Sequence, residues 1–311
     1  YGVDPIHEPE EIELIEDPKY KIMDRMMSKT SSMGQWMMRN TTSIQVSIDL
    51  MDEQDAKEML FISDCLHPIS AYLFSNSPFT KKLCNGYENQ RNIIWKNTDN
   101  RRSNNLIDHD IFKLNNIVDD YIKFILETPT IYSFDKNNKM IDSSETIYEQ
   151  LQAKLDEGKL NNNHIHELMR QIFTNVRLKN TIEIRGADRL PIGAELAPAA
   201  FWIGLLYSKK NRKVLINTLN NWTTEERYKM NDCTLSLEDQ NGPLGKPFLF
   251  WVDWTCKLAL SGLDERGLNE KIYFENYCND ISLNNPLSIQ EQSLFNESDI
   301  SINNFILDRF S

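Results

Sequence analysis

The sequence predicts an α+β protein with an antiparallel sheet. One face of this sheet forms an open polar cavity, and the other face packs against helices. Two segments with strand-like alternation support this prediction, and residues 193–311 show a helical pattern instead. One face of an antiparallel sheet can pack on the core while the other stays polar. A chain of 311 residues is long enough for a sizeable core. We therefore expect one domain over residues 1–311, with 193–311 as its helical C-terminal portion.

The N-terminal part of the chain predicts a coil, a helix and a strand. A coil up to residue 17 precedes a helix over residues 18–28, which has Pro18 in its first turn, where proline is tolerated. Residues 43–50, SIQVSIDL, alternate between polar and apolar side chains. This alternation predicts a strand, either lining a cavity or half-buried at a sheet edge. Its polar row is Ser43, Gln45, Ser47 and Asp49.

The next hundred residues predict two helices separated by a long loop. Asp52 can cap a helix over residues 53–74, which we expect to be kinked at Pro68. Residues 75–105 predict a loop rich in Asn, Arg and aromatic side chains, and loops of this length in compact domains are usually functional. A second helix is expected over residues 111–127.

The middle and the end of the chain complete the predicted order of elements. Two short strands flank a turn at residues 136–138 and suggest a hairpin. Helices are expected over residues 145–156 and 165–173, followed by a strand over residues 175–188. The sequence pattern over residues 193–311 predicts helices throughout.

The strand predicted over residues 175–188, NVRLKNTIEIRGAD, has one charged face and one apolar face. The charged row is Arg177, Lys179, Thr181, Glu183 and Arg185, and the opposite row is apolar except for Asn180. Three cations and one carboxylate on one sheet face are costly unless an anion lies there. A metal-bound triphosphate would satisfy this face, since the carboxylate can hold the metal and the cations the phosphate oxygens. An ordinary solvated sheet face is the alternative.

Composition excludes several classes of protein. The chain has 34 Lys and Arg against 46 Asp and Glu, a net charge of −12, which argues against nucleic acid or an anionic membrane as its main partner. No apolar run approaches the length of a membrane span. The five cysteines include no Cys-x-x-Cys pair, which favours reduced thiols and a cytoplasmic protein. A targeting segment is not observable, because the chain opens at Tyr1 and we expect its N-terminus to be missing.

Five segments, taken in order, resemble the plant- and proteobacterial-type glutamate–cysteine ligases, a branch of the glutamine synthetase-like carboxylate–amine ligases. The segments are MMRNTTSIQVSIDL (residues 37–50), HPISAYLFSNSPF (67–79), NGYENQRNIIWKNTDNRR (85–102), VRLKNTIEIRGAD (176–188) and AAFWIGLLY (199–207). The resemblance implies a sheet that forms an open active-site cavity. It also implies that ATP activates the γ-carboxylate of L-glutamate as an acyl phosphate, which the amine of L-cysteine attacks in the first step of glutathione synthesis. ATP and Mg²⁺ are the implied cofactors, and we expect a monomer or a homodimer.

The same resemblance assigns roles to the charged residues. Glu183 is the expected Mg²⁺ ligand, since hard cations select carboxylates. Arg185 is expected to act on the ATP phosphates or the acyl phosphate, with a structural ion pair as the alternative. Lys179 and Arg177 would hold phosphate oxygens, and Arg102 is the second catalytic candidate, for a phosphate or a carboxylate.

Substrate contacts are expected from neutral residues and one further arginine. Arg91 is expected to bind the glutamate α-carboxylate, because arginine binds carboxylates in bidentate fashion. The other predicted substrate-binding residues are Trp95 in the wall of that pocket, Ser43 and Gln45 toward substrate or metal-bound water, Asn76 in a nearby loop, and Tyr132 with Phe134 at the cysteine pocket. Core packing is the alternative for the last two, and Asp99 is expected to position Arg91 or Arg102 by ion pairing.

The main departure from the resemblance is at the N-terminus. These ligases carry a pair of metal-binding glutamates on an N-terminal strand, in a segment like GTEHEKF, and residues 8–17, EPEEIELIED, read as loop instead. We therefore expect a ligase fragment that lacks one or more N-terminal strands. Two alternatives remain open: a related ligase that uses another amine acceptor, and a glutamate-binding relic without catalysis.

Overall fold

The computed structural model describes residues 1–135, 139–233 and 241–310. The helices are α1 Pro18–Thr30, α2 Gly34–Asn40, α3 Glu53–Leu73, α4 Gln90–Lys96, α5 Ile117–Glu127, α6 Ile147–Asp156, α7 Asn162–Met169, α8 Ala197–Leu206, α9 Lys209–Leu219, α10 Thr224–Cys233, α11 Phe248–Arg266, α12 Lys271–Asn284, α13 Leu287–Asn296 and α14 Ile302–Phe310. The strands are β1 Ser43–Asp49, β2 Phe79–Thr80, β3 Leu83–Cys84, β4 Ser103–Asn104, β5 Tyr132–Phe134, β6 Met140–Asp142, β7 Phe173–Thr174, β8 Val176–Leu178 and β9 Thr181–Asp188. The predicted α+β class, with a small antiparallel sheet and a helical C-terminal part, is confirmed.

The central sheet has three antiparallel strands in the order β1-β9-β8. Its apolar face packs on α3 and α8 through a row of buried side chains. The row consists of Val46, Ile48, Val176, Leu178, Ile182 and Ile184. Because side chains alternate along a strand, burial of this row turns the charged residues of β8 and β9 to the opposite face.

Helix α3 is the centre of the core. Asp52 caps it by accepting a hydrogen bond from the backbone N–H of Asp55 at 2.8 Å, as the sequence predicts. The helix continues through Pro68, and nearly all of its second half is buried. One apolar cluster joins α3 and the sheet to α8, α11 and α12. The C-terminal helices therefore pack on the same core as the sheet.

Several local predictions need correction. Helix α2 lies where no element was expected, and α4 lies inside the predicted loop over residues 75–105. Helix α5 begins at Ile117 after a short 3₁₀ turn, six residues later than expected. The predicted hairpin is present as β5 and β6, while its turn at residues 136–138 lies outside the described residues.

Two further observations concern the whole of the described chain. Within the described ranges, no helix is both long and apolar enough to cross a membrane. None of the five cysteines forms a disulfide among the described residues, and four of the five are buried.

Candidate active site

The polar face of the sheet carries a cluster of charged side chains around Glu183. Arg177 Nη2 and Arg185 Nη1 both donate to Oε1 of this carboxylate, at 2.6 and 2.9 Å. Lys179 Nζ donates to Oε2 at 2.5 Å. We call these four residues the charged cluster. Three positive charges less one negative charge leave it at +2, in a chain whose net charge is −12.

The charged cluster is largely shielded from solvent. Burial alone would raise the pKa of Glu183, but the charges of Arg177 and Arg185 and the hydrogen bond from Lys179 outweigh it and lower that pKa to about 2. Burial, followed by the neighbouring charge of Arg177, lowers the pKa of Arg185 to about 10. Glu183 and Arg185 are therefore both charged at neutral pH, and the excess positive charge suits a bound anion.

Glu183 should make the stability of the fold depend on pH in acid. Its pKa falls from an ordinary 4.5 to about 2 on folding, so its contribution is fully present above 4.5 and is lost as the pH falls toward 2. The free energy of unfolding, measured by urea denaturation across this range, should decrease with falling pH. The Glu183→Gln variant should show a shallower decrease. Equal slopes for the two proteins would assign the acid sensitivity to other groups.

The prediction of one continuous strand over residues 175–188 is wrong. The chain turns back at Lys179 and Asn180, and β8 pairs with β9 as a hairpin in which Arg177 lies opposite Glu183. Directly paired residues share a sheet face, so the turn leaves the charged side chains on one side, as a single strand would. Asn180, the polar exception in the apolar row, lies in the turn, where asparagine is favoured.

Trp95 of α4 lies beside the charged cluster. The guanidinium carbon of Arg185 is 5.3 Å from the centroid of its indole ring, a cation–π distance. Phe173 contacts the same indole, with ring centroids 6.2 Å apart. The structure thus brings Trp95 together with the charged cluster, while its predicted contact with glutamate stays a prediction.

Strand β1 contributes neutral side chains next to the charged cluster. Ser47 lies directly opposite Glu183 in the ladder, and Ser43 lies opposite Asp188. Gln45 and Ser47 are exposed on the sheet face. Ser47 was not singled out from the sequence, although its place in one polar row with Gln45 was the signal that could have identified it. The substrate contacts predicted for Ser43 and Gln45 remain open to test.

Arg91 and Asn76 lie at the C-terminal end of β9, in a buried network. Arg91 Nη2 donates to the carbonyl oxygen of Arg185 at 2.5 Å, and Nη1 lies 3.5 Å from the carboxylate of Asp188. The backbone N–H of Asn76 donates to the other carboxylate oxygen of Asp188 at 2.7 Å, and its amide donates to the carbonyl of Arg189 at 2.8 Å. Both side chains already have protein acceptors, and their predicted substrate contacts stay predictions.

Arg102 is completely buried, and its guanidinium binds protein acceptors on three sides. Nε donates to Asp99 at 2.7 Å, Nη1 to the carbonyl of Gln171 at 3.2 Å, and Nη2 to the carbonyl of Pro129 at 2.6 Å. These bonds tie together three segments that are distant in sequence. They are contacts of a structural anchor, and the catalytic role predicted for Arg102 stays a prediction. Of the two pairings considered for Asp99, the ion pair with Arg102 is present, and Asp99 also pairs with Arg101, which was not predicted.

Replacing Arg102 by alanine is expected to lower the free energy of unfolding by roughly 3 kcal/mol, because the buried carboxylate of Asp99 loses a partner. Urea denaturation measures this loss. The control is Arg101→Ala, which removes a half-exposed partner of the same carboxylate and should cost about 1 kcal/mol or less. If Arg102→Ala kept normal stability but lost activity, a substrate contact would be the better explanation.

Tyr132 is buried in a small apolar cluster with side chains of α1. Burial raises the pKa of its phenol to about 12. Tyr132 and Phe134 also line a cavity of about 420 Å³ between the β5–β6 hairpin and helices α6 and α7. The structure therefore shows both core packing and access to a cavity, and the predicted cysteine pocket is left as a prediction.

The residues present do not fit a Mg²⁺ ion. Both carboxylate oxygens of Glu183 accept hydrogen bonds from cations, and a metal would enter a region that is already positive. In the part of the chain that the structure describes, no group of three or more His, Cys, Asp or Glu side chains could hold a metal. Mg²⁺ prefers several oxygen ligands. A phosphate group fits the same cluster, since the cations outnumber the carboxylate.

The fold and the site define an α+β protein with a buried cationic site on one face of its sheet. The sequence comparison then specifies the family. The model of glutamate–cysteine ligase family 2 matches residues 1–235, and the chain belongs to this family of ligases. The resemblance seen in the five motifs is confirmed.

Curated relatives come from plants. The chain is 31% identical over 275 residues to the chloroplastic glutamate–cysteine ligase of Medicago truncatula. The aligned region covers 86% of this chain and 53% of that protein. It is 32% identical over 276 residues to the Arabidopsis thaliana enzyme, covering 86% of this chain and 52% of the relative. It is 34% identical over 278 residues to glutamate–cysteine ligase A of Oryza sativa subsp. indica. That match covers 86% of this chain and 55% of the rice protein. The chain thus spans about half the length of the curated relatives it matches.

The prediction of a cytoplasmic protein is corrected by these comparisons. The three relatives described above are all named as chloroplastic proteins. Composition and free cysteines do not distinguish the cytoplasm from a plastid, which explains the error.

Proposed function

We propose that the sheet face of this chain serves an ATP-dependent ligation that joins the γ-carboxylate of L-glutamate to the amine of L-cysteine. The observation that carries this proposal is the charged cluster, in which two excess positive charges are held on one buried sheet face. Membership of the glutamate–cysteine ligase family supports the choice of reaction. Since the chain spans about half of its relatives, the activity of the whole protein is part of the proposal.

In the proposed reaction, the γ-phosphoryl group of ATP passes to a γ-carboxylate oxygen of glutamate and ADP is released. The amine nitrogen of cysteine then attacks the carbonyl carbon of this acyl phosphate. The new C–N bond forms as the C–O bond to phosphate breaks, and the amine gives up a proton. Negative charge therefore accumulates on phosphate oxygens in both steps.

The charged cluster is suited to stabilise that charge. Arg185 and Lys179 would donate to phosphate oxygens, and Arg177 would add its charge from the neighbouring strand. Glu183 holds all three cations in place before any substrate binds, so their orientation needs no rearrangement during the reaction. The indole of Trp95 limits the freedom of the Arg185 guanidinium and screens it from water.

The glutamate site is proposed next to the charged cluster, with Arg91 for the α-carboxylate and Trp95 as a wall. Binding at Arg91 would require glutamate to replace or share its present acceptors, the carbonyl of Arg185 and the carboxylate of Asp188. Further contacts with the glutamate substrate are proposed for Ser43, Gln45 and Asn76. Tyr132 is proposed to form part of the cysteine pocket.

The expectation of Mg²⁺ is likewise carried by the resemblance alone. Glu183 was the predicted protein ligand, but both of its oxygens already accept hydrogen bonds from cations, so its metal role stays a prediction that these contacts do not support.

The test is substrate-dependent phosphate release by the purified protein. We expect phosphate release with ATP, glutamate and cysteine together, and γ-glutamylcysteine as the product by mass spectrometry. Omission of cysteine or of glutamate serves as the control and should stop product formation. Release with another amine in place of cysteine would favour the related ligase. Glutamate binding without phosphate release for any acceptor would instead favour the non-catalytic alternative.

A further inference from the structure

Strand β9 carries an irregularity at the position of its functional arginine. Between Ile184 and Ala187, the two residues Arg185 and Gly186 lie opposite a single residue of β1, Gln45. Such a β-bulge bends the strand and changes the direction of a side chain, and bulges often lie next to active sites. The direction of Arg185 within the charged cluster therefore depends on the geometry of this bulge.

A buried histidine packs directly against the bulge from the core side. A Cβ atom at Gly186 would lie 2.7 Å from Nε2 and 2.8 Å from Cδ2 of His67 on α3. His67 is 1% exposed, so its ring lies in the packed interior, where a displacement would require neighbouring side chains to move as well. Glycine is the residue that allows the strand to approach α3 this closely.

The bulge is also held through its backbone polar groups. Arg91 donates from Nη2 to the carbonyl of Arg185 at 2.5 Å and from Nη1 to the carbonyl of Gly186 at 3.4 Å. The backbone N–H of Arg185 donates to the carbonyl of Asn175 on the β8 side at 3.0 Å. The backbone at the bulge is thus fixed by α3, by α4 and by the neighbouring strand.

The histidine is adapted to this position as a neutral ring. Burial, followed by the positive charge of Arg91, lowers the pKa of His67 to about 3. Its Nδ1 has no hydrogen-bond partner among the described residues. A charged imidazolium here would repel Arg91 and add to the positive charge nearby. The neutral ring fills the space beside Gly186 without adding a charge.

We propose that His67 and Gly186 are positioning residues, whose contact sets the bulge of β9 and thereby the direction of the Arg185 guanidinium toward the phosphates. This inference rests on the proposed function, because it assumes that Arg185 acts on ATP. It assigns a role to two residues that lie outside the charged cluster. Their spacing is decisive because a displacement of about 1 Å in a catalytic group can cost about 100-fold in rate.

The experiment compares Gly186→Ala, His67→Ala and the double variant in the ligase assay and in ATP binding by calorimetry. Gly186→Ala should lower kcat at least about tenfold by displacing Arg185. The double variant should recover most of that loss, since the added methyl group takes the space of the removed ring. His67→Gln, a neutral replacement with a similar reach, should stay closer to wild type than His67→Ala. A loss in Gly186→Ala that the second substitution leaves unchanged would overturn the proposal.

Two comparisons separate this inference from a general loss of stability and from the proposed function. Ile69→Ala removes a fully buried side chain of the same helix and should lower thermal stability without changing ATP affinity. In an Arg185→Ala background, Gly186→Ala should have no further effect on kcat. If Arg185→Ala itself leaves kcat and ATP affinity unchanged, the proposed function fails. If only the Gly186 and His67 variants are without effect, the positioning role alone fails.

Discussion

Replacing Arg185 by alanine is expected to lower ligase turnover about 100-fold or more, the scale on which a lost donor to a developing negative charge acts. The guanidinium is buried between Glu183 and Trp95 and is already oriented before substrate arrives. Alanine removes both the charge and the two parallel donors that arginine offers to phosphate oxygens. The measurements are kcat from phosphate release and ATP affinity from calorimetry.

Two variants make this test specific. Arg185→Lys keeps the positive charge but loses the planar fork, so its kcat should fall between wild type and Arg185→Ala. Arg25→Ala is the matched control, because Arg25 is an exposed arginine paired with Asp142 at the surface, and its loss should leave kcat unchanged. A normal kcat in a folded Arg185→Ala protein would show that this arginine does not act on the transferred phosphoryl group.

The second large effect is expected at Glu183. Replacement by glutamine should lower the free energy of unfolding by roughly 3 kcal/mol, because three cations on a buried face lose the counter-ion that they share. The glutamine amide is similar in size but carries no charge, and its NH₂ group faces cations that can only donate. Urea denaturation at neutral pH measures the loss.

The Glu183→Gln variant also tests whether the charged cluster binds anions. Inorganic phosphate should raise its unfolding temperature more than that of the wild type, since three cations remain to be neutralised instead of a net two. The control is Asp142→Asn, which removes the exposed partner of Arg25 and should respond to phosphate like the wild type. An equal response of all three proteins to phosphate would argue against an anion site at this cluster.

Elements with a strong repeating pattern could be predicted from the sequence. The strand β1 and the long helix α3 appear where alternation and the Asp52 cap indicated them. The short helices α2 and α4 were missed, because seven residues hold too little periodicity to be distinguished from loop. The hairpin of β8 and β9 was missed for a different reason. Polar and apolar side chains continue to alternate through its turn, and Asn180 is the one polar residue in the apolar row that indicates a change of chain direction.

Residue types at the site were easier to predict than their partners. The charged side chains predicted to share one sheet face do form one cluster, because the direction of a side chain along a strand follows from local alternation. The backbone carbonyl acceptors of Arg91 and Arg102 belong to segments far away in sequence, such as Gly186 and Gln171, and no local sequence pattern indicates them. The close approach of Gly186 to His67, on which its proposed role depends, could not be predicted for the same reason, since His67 lies in another element.

The hairpin origin of the charged cluster has a consequence for the order in which the protein folds. All four charged side chains lie within residues 177–185, so a single local reversal of the chain brings them together. Hairpins of this size close in microseconds, whereas β1 must find β9 across more than a hundred intervening residues. The charged cluster is therefore expected to assemble early. We expect the contacts of α3 and α4 with the β9 bulge to form later, since they join segments that are distant in sequence.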